Sequence, residues 1–204
     1  MKFLIFFRGT FARNTVLKYL NFNYNKIKRL DSNSFRGMRF MRRLLFRNNE
    51  ITDIGRGTFN SVSRIGTIDL SRNKIKKIDY QMFFQLNYVE IIDVSENLVT
   101  EISKLAFKDL YLVNINVSHN MIKKIEVNAF ENCANITYLD MSHNQISSIP
   151  AKAFDSVTYA TYFQLSYNNL TSMSQVCVIL MLLMITFNHG YKSFVFYSRS
   201  RYTT

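Results

Sequence analysis

Cysteine is scarce in this chain: Cys133 and Cys177 are its only two, too few for a disulfide framework. Long apolar runs are scarce too. The run Val176 to Phe187 spans 12 residues, apolar apart from Thr186, against roughly 20 for a helix that crosses a bilayer. No GxSxG, phosphate loop or HExxH is present, and no cysteine is joined to a histidine by a recognisable motif. The expectation is therefore a non-enzyme with no cofactor and no metal. Carboxylates are thin in the first part of the chain, where residues 1–77 hold 18 Lys/Arg against 4 Asp/Glu, whereas residues 78–170 hold 5 against 10. With no basic-aromatic RNA-binding motif and no helix-turn-helix signature, this imbalance points away from nucleic acid. It points instead to an electrically polar binding surface or to head-to-tail association.

What the chain does have is a period. In Ile65 to Leu86, IGTIDLSRNKIKKIDYQMFFQL, counting Ile65 as position 1, apolar residues fall at positions 4, 6, 11, 14, 19 and 22 and Asn73 falls at 9. The same ruler fits with starts at Leu17, Met41, Ile65, Val89, Leu112, Ile136 and Ala160, in steps of 24 residues with one step of 23. Position 9 is Asn25, Asn49, Asn73, Asn97, Asn120, Asn144 and Asn168; position 19 is Phe35, Phe59, Phe83, Phe107, Phe130 and Phe154. A period in the 20s carrying LxxLxLxxNxL is the signature of a leucine-rich repeat, a unit that buries its apolar face only by stacking on copies of itself.

Stacking gives each position a reason. Positions 4 and 6 mostly alternate with polar residues, as in a short strand with one side inward and the other in solvent. A buried asparagine, carrying both donors and acceptors, satisfies the backbone groups left inside the turn that follows. The phenylalanines stack one per rung into an aromatic spine. The predicted fold is an α/β leucine-rich repeat solenoid, a curved horseshoe with short parallel strands on its concave face. Residues 1–16 form a partial N-terminal repeat, 17–173 seven repeats, and 174–204 a hydrophobic and basic tail.

Phe3, Phe6 and Phe11 fit positions 11, 14 and 19 of an earlier repeat, so the chain begins mid-repeat and is expected to be a fragment. The missing residue of the 23-residue step is placed between Leu110 and Leu112, in a tighter loop. Cys133, at apolar position 22, reads as a small buried hydrophobe. At positions 12 and 13 the basic pairs Lys28-Arg29, Lys76-Lys77 and Lys123-Lys124 alternate with Thr52-Asp53, Thr100-Glu101 and Ser147-Ser148, which places Arg29, Asp53, Lys77, Glu101 and Lys124 in a row of alternating sign. The run 176–187 has three readings: an end cap, a membrane anchor, or non-native sequence.

The segments IDLSRNKIKKI (68–78), IDVSENLVTEI (92–102), INVSHNMIKKI (115–125) and LDMSHNQISSI (139–149), each followed by a phenylalanine five residues on, resemble the typical extracellular class of animal leucine-rich repeats. That is the class of chaoptin and Toll-related ectodomains. The resemblance covers residues 3 to about 173. It implies a cell-surface or extracellular location, glycosylation, and binding of a protein ligand or a neighbouring cell-surface protein, with adhesion or receptor character. The chain lacks the cysteine-rich end caps of that class. An intracellular scaffold of the same fold is the alternative.

Candidate partner-binding residues are the solvent-facing ones on and after the strands. They run from basic (Arg42, Arg43, Arg47, Arg72) through acidic (Glu90, Asp93, Glu96) to aromatic and polar (Tyr138, His143, Tyr162, Tyr167). A concave sheet is the usual recognition surface of a solenoid. Candidate glycosylation sites are the N-x-S/T asparagines Asn116, Asn135 and Asn169; a glycan on Asn116 would obstruct the binding face. Glu96, His119 and His143 fall in one row, yet a metal needs ligands that converge, so no metal is assigned.

Overall fold

The computed structural model describes residues 5–6, 11, 13–32, 34–86, 88–111, 113–157, 159–170 and 193–195. The run 176–187 and Cys177 lie outside them, as does most of segment 1–16. In chain order the strands are β1 (Ile5–Phe6), β2 (Tyr19–Asn21), β3 (Arg29–Leu30), β4 (Phe40–Leu45), β5 (Asp53–Ile54), β6 (Arg64–Asp69), β7 (Lys77–Ile78), β8 (Val89–Asp93), β9 (Glu101–Ile102), β10 (Val113–Asn116), β11 (Lys124–Ile125), β12 (Asn135–Asp140), β13 (Tyr159–Gln164) and β14 (Ser193–Val195).

Every pairing is parallel. The longer strands form one sheet in the order β14-β13-β12-β10-β8-β6-β4-β2, and the two-residue strands form two smaller ones, β1-β3-β5 and β11-β9-β7. Ile65 sits opposite Val89, Ile68 opposite Ile92 and Asp69 opposite Asp93. Like positions of successive rungs are therefore neighbours, about 4.8 Å apart, and the chain is a leucine-rich repeat solenoid with its long sheet on the concave face.

The core follows from that register. Leu44, Ile68, Ile92, Ile115 and Leu139 point inward from consecutive strands and are fully buried. On the opposite wall, Phe35 to Phe154 stack with centroid separations from 4.6 to 6.3 Å and interplanar angles of 7–21°. Each such contact adds about 0.5–1.5 kcal/mol beyond the apolar area it buries. Phe11 continues the spine at 6.1 Å from Phe35.

The asparagines tie the rungs together. Asn73 Nδ2 donates to the Leu70 and Ser71 carbonyls of its own rung and to the Phe46 carbonyl of the rung before, while its Oδ1 accepts the Ile51 N–H. Asn97, Asn120 and Asn144 repeat the arrangement one rung further on each time. Four backbone groups per rung are satisfied by one side chain, which is why a polar residue occupies a buried position.

The convex side carries turns and one 3-10 turn, Ala151–Ala153, with no α-helix among the described residues. Its segments are too short for helices to hold on their own, since isolated helices under about 12 residues are marginal. None of the described helices is long and apolar enough to cross a membrane.

The shortened rung departs from the sequence reading. Val113, not Leu112, sits opposite Ile136, and the next pair is Asn114 with Tyr138, so Thr137 has no counterpart in β10. The missing residue thus lies inside the strand rather than between Leu110 and Leu112. A slip of one residue would turn every side chain to the other face. Dropping one solvent-facing residue instead keeps Val113 and Ile115 fully buried, and the Asn114 amide donates to the Glu90 carbonyl at 3.2 Å across the irregularity.

On the small sheets the row of alternating charge closes in part. Arg29 meets Asp53 at 3.0 Å, Lys77 meets Glu101 at 3.3 Å, and Lys124 lies 4.0 Å from Glu101. Such exposed pairs contribute about 0–1 kcal/mol each.

Candidate functional site

Three columns of side chains rise from the concave sheet. Register sets the first as Tyr19, Arg43, Thr67, Ile91, Asn114, Tyr138 and Tyr162, each beside the next. The second, two residues further along each strand, includes Asp69, Asp93, Asn116 and Asp140. The third stands just past the strand ends: Tyr24, Asn48, Arg72, Glu96, His119, His143 and Tyr167 all have φ between 52° and 58°. This left-handed conformation is uncommon outside glycine. Here the asparagine one residue on pins the turn, and every third-column side chain but the half-buried Asn48 is exposed.

The second column is half-buried and structural. The Asp69 carboxylate accepts the Ser71 N–H at 2.9 Å and its hydroxyl at 2.6 Å, and Asp93 and Asp140 accept the N–H of Ser95 and Ser142. These are Asx turns that end the strands. Burial pushes the Asp93 carboxyl above the usual carboxylate range, with the two Ser95 hydrogen bonds opposing it. Asp93 is therefore committed to the backbone. The aspartates at this position are legible in sequence as a recurring residue, but their role is not.

In the third column the proposed contacts find each other. Arg72 Nε lies 2.9 Å from both Glu96 oxygens, and Arg47 reaches Glu96 at 3.8 Å and donates to Ser71 Oγ at 3.1 Å. The hydrogen bond from Arg72 holds the Glu96 carboxyl below its ordinary value. Glu90 is likewise engaged by Arg64 at 2.8 Å, a partner that sequence reasoning overlooked because it lies two residues out of step with the repeat, on the adjacent strand. Arg42 and Arg43 are exposed and stand about four rungs, roughly 19 Å, from Tyr138.

The far rungs are aromatic. Tyr138 and Tyr162 stack with centroids 4.9 Å apart and planes 5° from parallel. Tyr138 donates its phenol to Asp140 at 3.1 Å, and burial beside that carboxylate pushes the phenol up to about 12. His143 is sandwiched between His119, at 4.1 Å, and Tyr167, at 4.2 Å. Partial burial lowers the His143 imidazole, as does the neighbouring His119, while Asp140 opposes both. Stacked imidazoles direct their nitrogens in parallel planes, not at a common point, and among the described residues no group of three His, Cys, Asp or Glu could hold a metal ion.

Because these rings stack along the solenoid, they offer edges and polar tips to solvent rather than faces. Between the basic and aromatic rungs, Ile91, Leu98 and Met121 are exposed. Periodicity alone could have found them, since they occupy solvent-facing positions of their rungs.

Of the sequon asparagines, Asn169 is exposed and Asn135 is half-buried at the start of β12. Asn116 is half-buried, and its Oδ1 accepts both the N–H and the hydroxyl of Ser118. Cys133 is a buried free thiol, pushed up to about 12 by burial.

A family model described as leucine rich repeat matches residues 6–51, 40–99, 87–146 and 111–170. The comparison with curated proteins finds no match. Among solved structures, the crystal structure of a TLR13–ssRNA13 complex is similar with a TM-score of 0.62 and 18% identity, over 83% of this chain and 27% of that one. The crystal structure of the leucine-rich repeat domain of APL1B aligns at a TM-score of 0.42 and 18% identity, over 79% of this chain and 60% of that one. At this identity the likeness is one of fold, and the chain spans little more than a quarter of the TLR13 chain.

Proposed function

The chain belongs to the leucine-rich repeat family, and from that premise we propose that it is a protein-protein interaction module of adhesion or receptor type, acting at a cell surface through its concave sheet. One observation carries the reading. The positions that build the frame barely vary from rung to rung, with asparagine at 9 and phenylalanine at 19, whereas the outward columns change at almost every step. The third column alone reads Tyr24, Asn48, Arg72, Glu96, His119, His143, Tyr167 on one fixed backbone geometry. A rigid scaffold that presents differing side chains in register suits recognition of an extended partner surface.

A catalytic role would need converging acid, base or nucleophile. The geometry instead commits Asp69, Asp93 and Asp140 to turns and buries Cys133.

The test is to replace Arg43, Arg47 and Tyr162 together and measure binding to candidate surface proteins by interferometry. A loss of at least tenfold is expected, with Lys76→Ala on the opposite flank as control. Unchanged binding to every candidate would remove the assignment. Location is tested separately by glycosidase treatment of secreted material. A mobility shift supports the cell-surface reading, and its absence favours an intracellular scaffold.

A further inference from the structure

The charge on the concave face is not evenly compensated. Residues 11–49, counted over all sides of the solenoid, hold ten Lys and Arg against Asp31 alone, and Arg29, on a small sheet, takes Asp31 at 2.6 Å. Further along the face the arginines are matched, Arg64 by Glu90 and Arg72 by Glu96. Lys18, Arg42 and Arg43 form no ion pair among the described residues.

These three are held at one spot. The Lys18 carbonyl accepts the N–H of Arg42 at 2.8 Å and of Arg43 at 3.2 Å, so the three cationic stems leave adjacent backbone. Register sets Arg43 beside Tyr19, and Arg42 Nη1 donates to the Tyr19 phenol oxygen at 3.3 Å. Tyr19 and Phe40 beside them are exposed by 53% and 38%. Like charges this close repel in the folded chain, and the carboxylates of these two rungs, Asp31, Glu50 and Asp53, are paired with Arg29 and Lys74 instead.

We propose that Lys18, Arg42 and Arg43, flanked by Tyr19 and Phe40, form the seat for an acidic segment of a partner protein. The seat rests on the reading of the concave sheet as the binding face. The guanidinium forks match carboxylates in pairs, and the rings take apolar side chains beside them. The rest of the face selects against a polymer charged at every unit. Beyond the basic rungs Arg64 and Arg72 are paired with Glu90 and Glu96, and Asp69 and Asp93 accept turn hydrogen bonds, so that stretch offers no unpaired arginine to hold a nucleic-acid or sulfated-glycan backbone lying along the sheet. A peptide can confine its acids to one end.

The probe is a fluorescein-labelled peptide of six Asp/Glu residues followed by a neutral Ser/Tyr tail, titrated with the full chain by anisotropy at low salt. Lys18→Glu/Arg42→Glu/Arg43→Glu is expected to weaken it at least tenfold. Lys76→Glu/Lys123→Glu, on the opposite flank, is expected to stay within twofold. Circular dichroism checks folding, and Arg42→Gln/Arg43→Gln serves if the triple variant does not fold. The proposal is overturned if the peptide does not bind, or if the variants bind it like wild type. It is also overturned if single-stranded RNA or a sulfated heparin oligosaccharide binds these residues more tightly than the peptide. A partner that loses affinity with Tyr162→Ala but ignores the triple variant would remove the seat and leave the sheet as the binding face.

Discussion

Asn97 Oδ1 accepts the Ile75 N–H at 3.0 Å, a bond that reaches back one full rung. The same side chain donates to Leu70, Val94 and Ser95 carbonyls, so it closes its own turn and fastens the preceding one. Each buried group left unpaired costs about 1–3 kcal/mol. Asn97→Ala is therefore expected to lower stability by at least about 3 kcal/mol in urea unfolding. Asn25→Ala should cost distinctly less, because Asn25 is half-buried and, among the described residues, donates only within its own rung. Equal losses would show that the interior ladder is not what couples the rungs.

Phe107 lies between Phe83 at 5.7 Å and Phe130 at 5.1 Å and is fully buried. Phe107→Ala is expected to cost about 3–5 kcal/mol. Hydrogen exchange should show the loss concentrated on the flanking rungs, since each repeat contacts only its neighbours. A loss spread evenly over the chain would contradict a spine held rung by rung.

Asp93 has a folded-state pKa raised by burial, so the folded chain holds this proton more tightly than the unfolded chain does. The sign of the pH dependence follows. Stability from this group is highest at low pH and falls as pH rises from the usual carboxylate range through the raised pKa. Asn116 shows that an amide in the same column makes the same turn bonds. Asp93→Asn is expected to stabilise at neutral pH, with the gain shrinking as pH drops into the acid range. A constant difference across the thermal melts would exclude ionisation as the cause.

Asn116 and Asn169 share a sequon and differ in surroundings. In secreted material Asn169 is expected to carry a glycan and Asn116 to lack one, because the amide and hydroxyl that glycan transfer requires are tied to each other in a half-buried turn. Peptide mapping by mass spectrometry decides between the two sites.

Much of the architecture is legible because each rung must solve the same problem with its own residues. Inward apolar positions of β6 and β8, the asparagine of each turn and the phenylalanine of each outer segment answer to local needs, so they recur in sequence as a period. The place of the missing residue in the shortened rung is not legible, because a missing residue can be absorbed in a loop or in a strand. Only the burial of Val113 opposite Ile136 decides which.

The sequence by itself determined that the chain is a stack of like units with an inner and an outer side, since the period alone fixes which residues must be covered. Tertiary structure decided which exposed groups remain available. Asp93 is spent on a turn, Glu96 on Arg72, and the Tyr138 and His143 rings on their neighbours, while Arg42 and Arg43 form no ion pair among the described residues. Those outcomes depend on contacts between residues about 24 apart and on the left-handed turn that aims them, and neither is a property of any one rung.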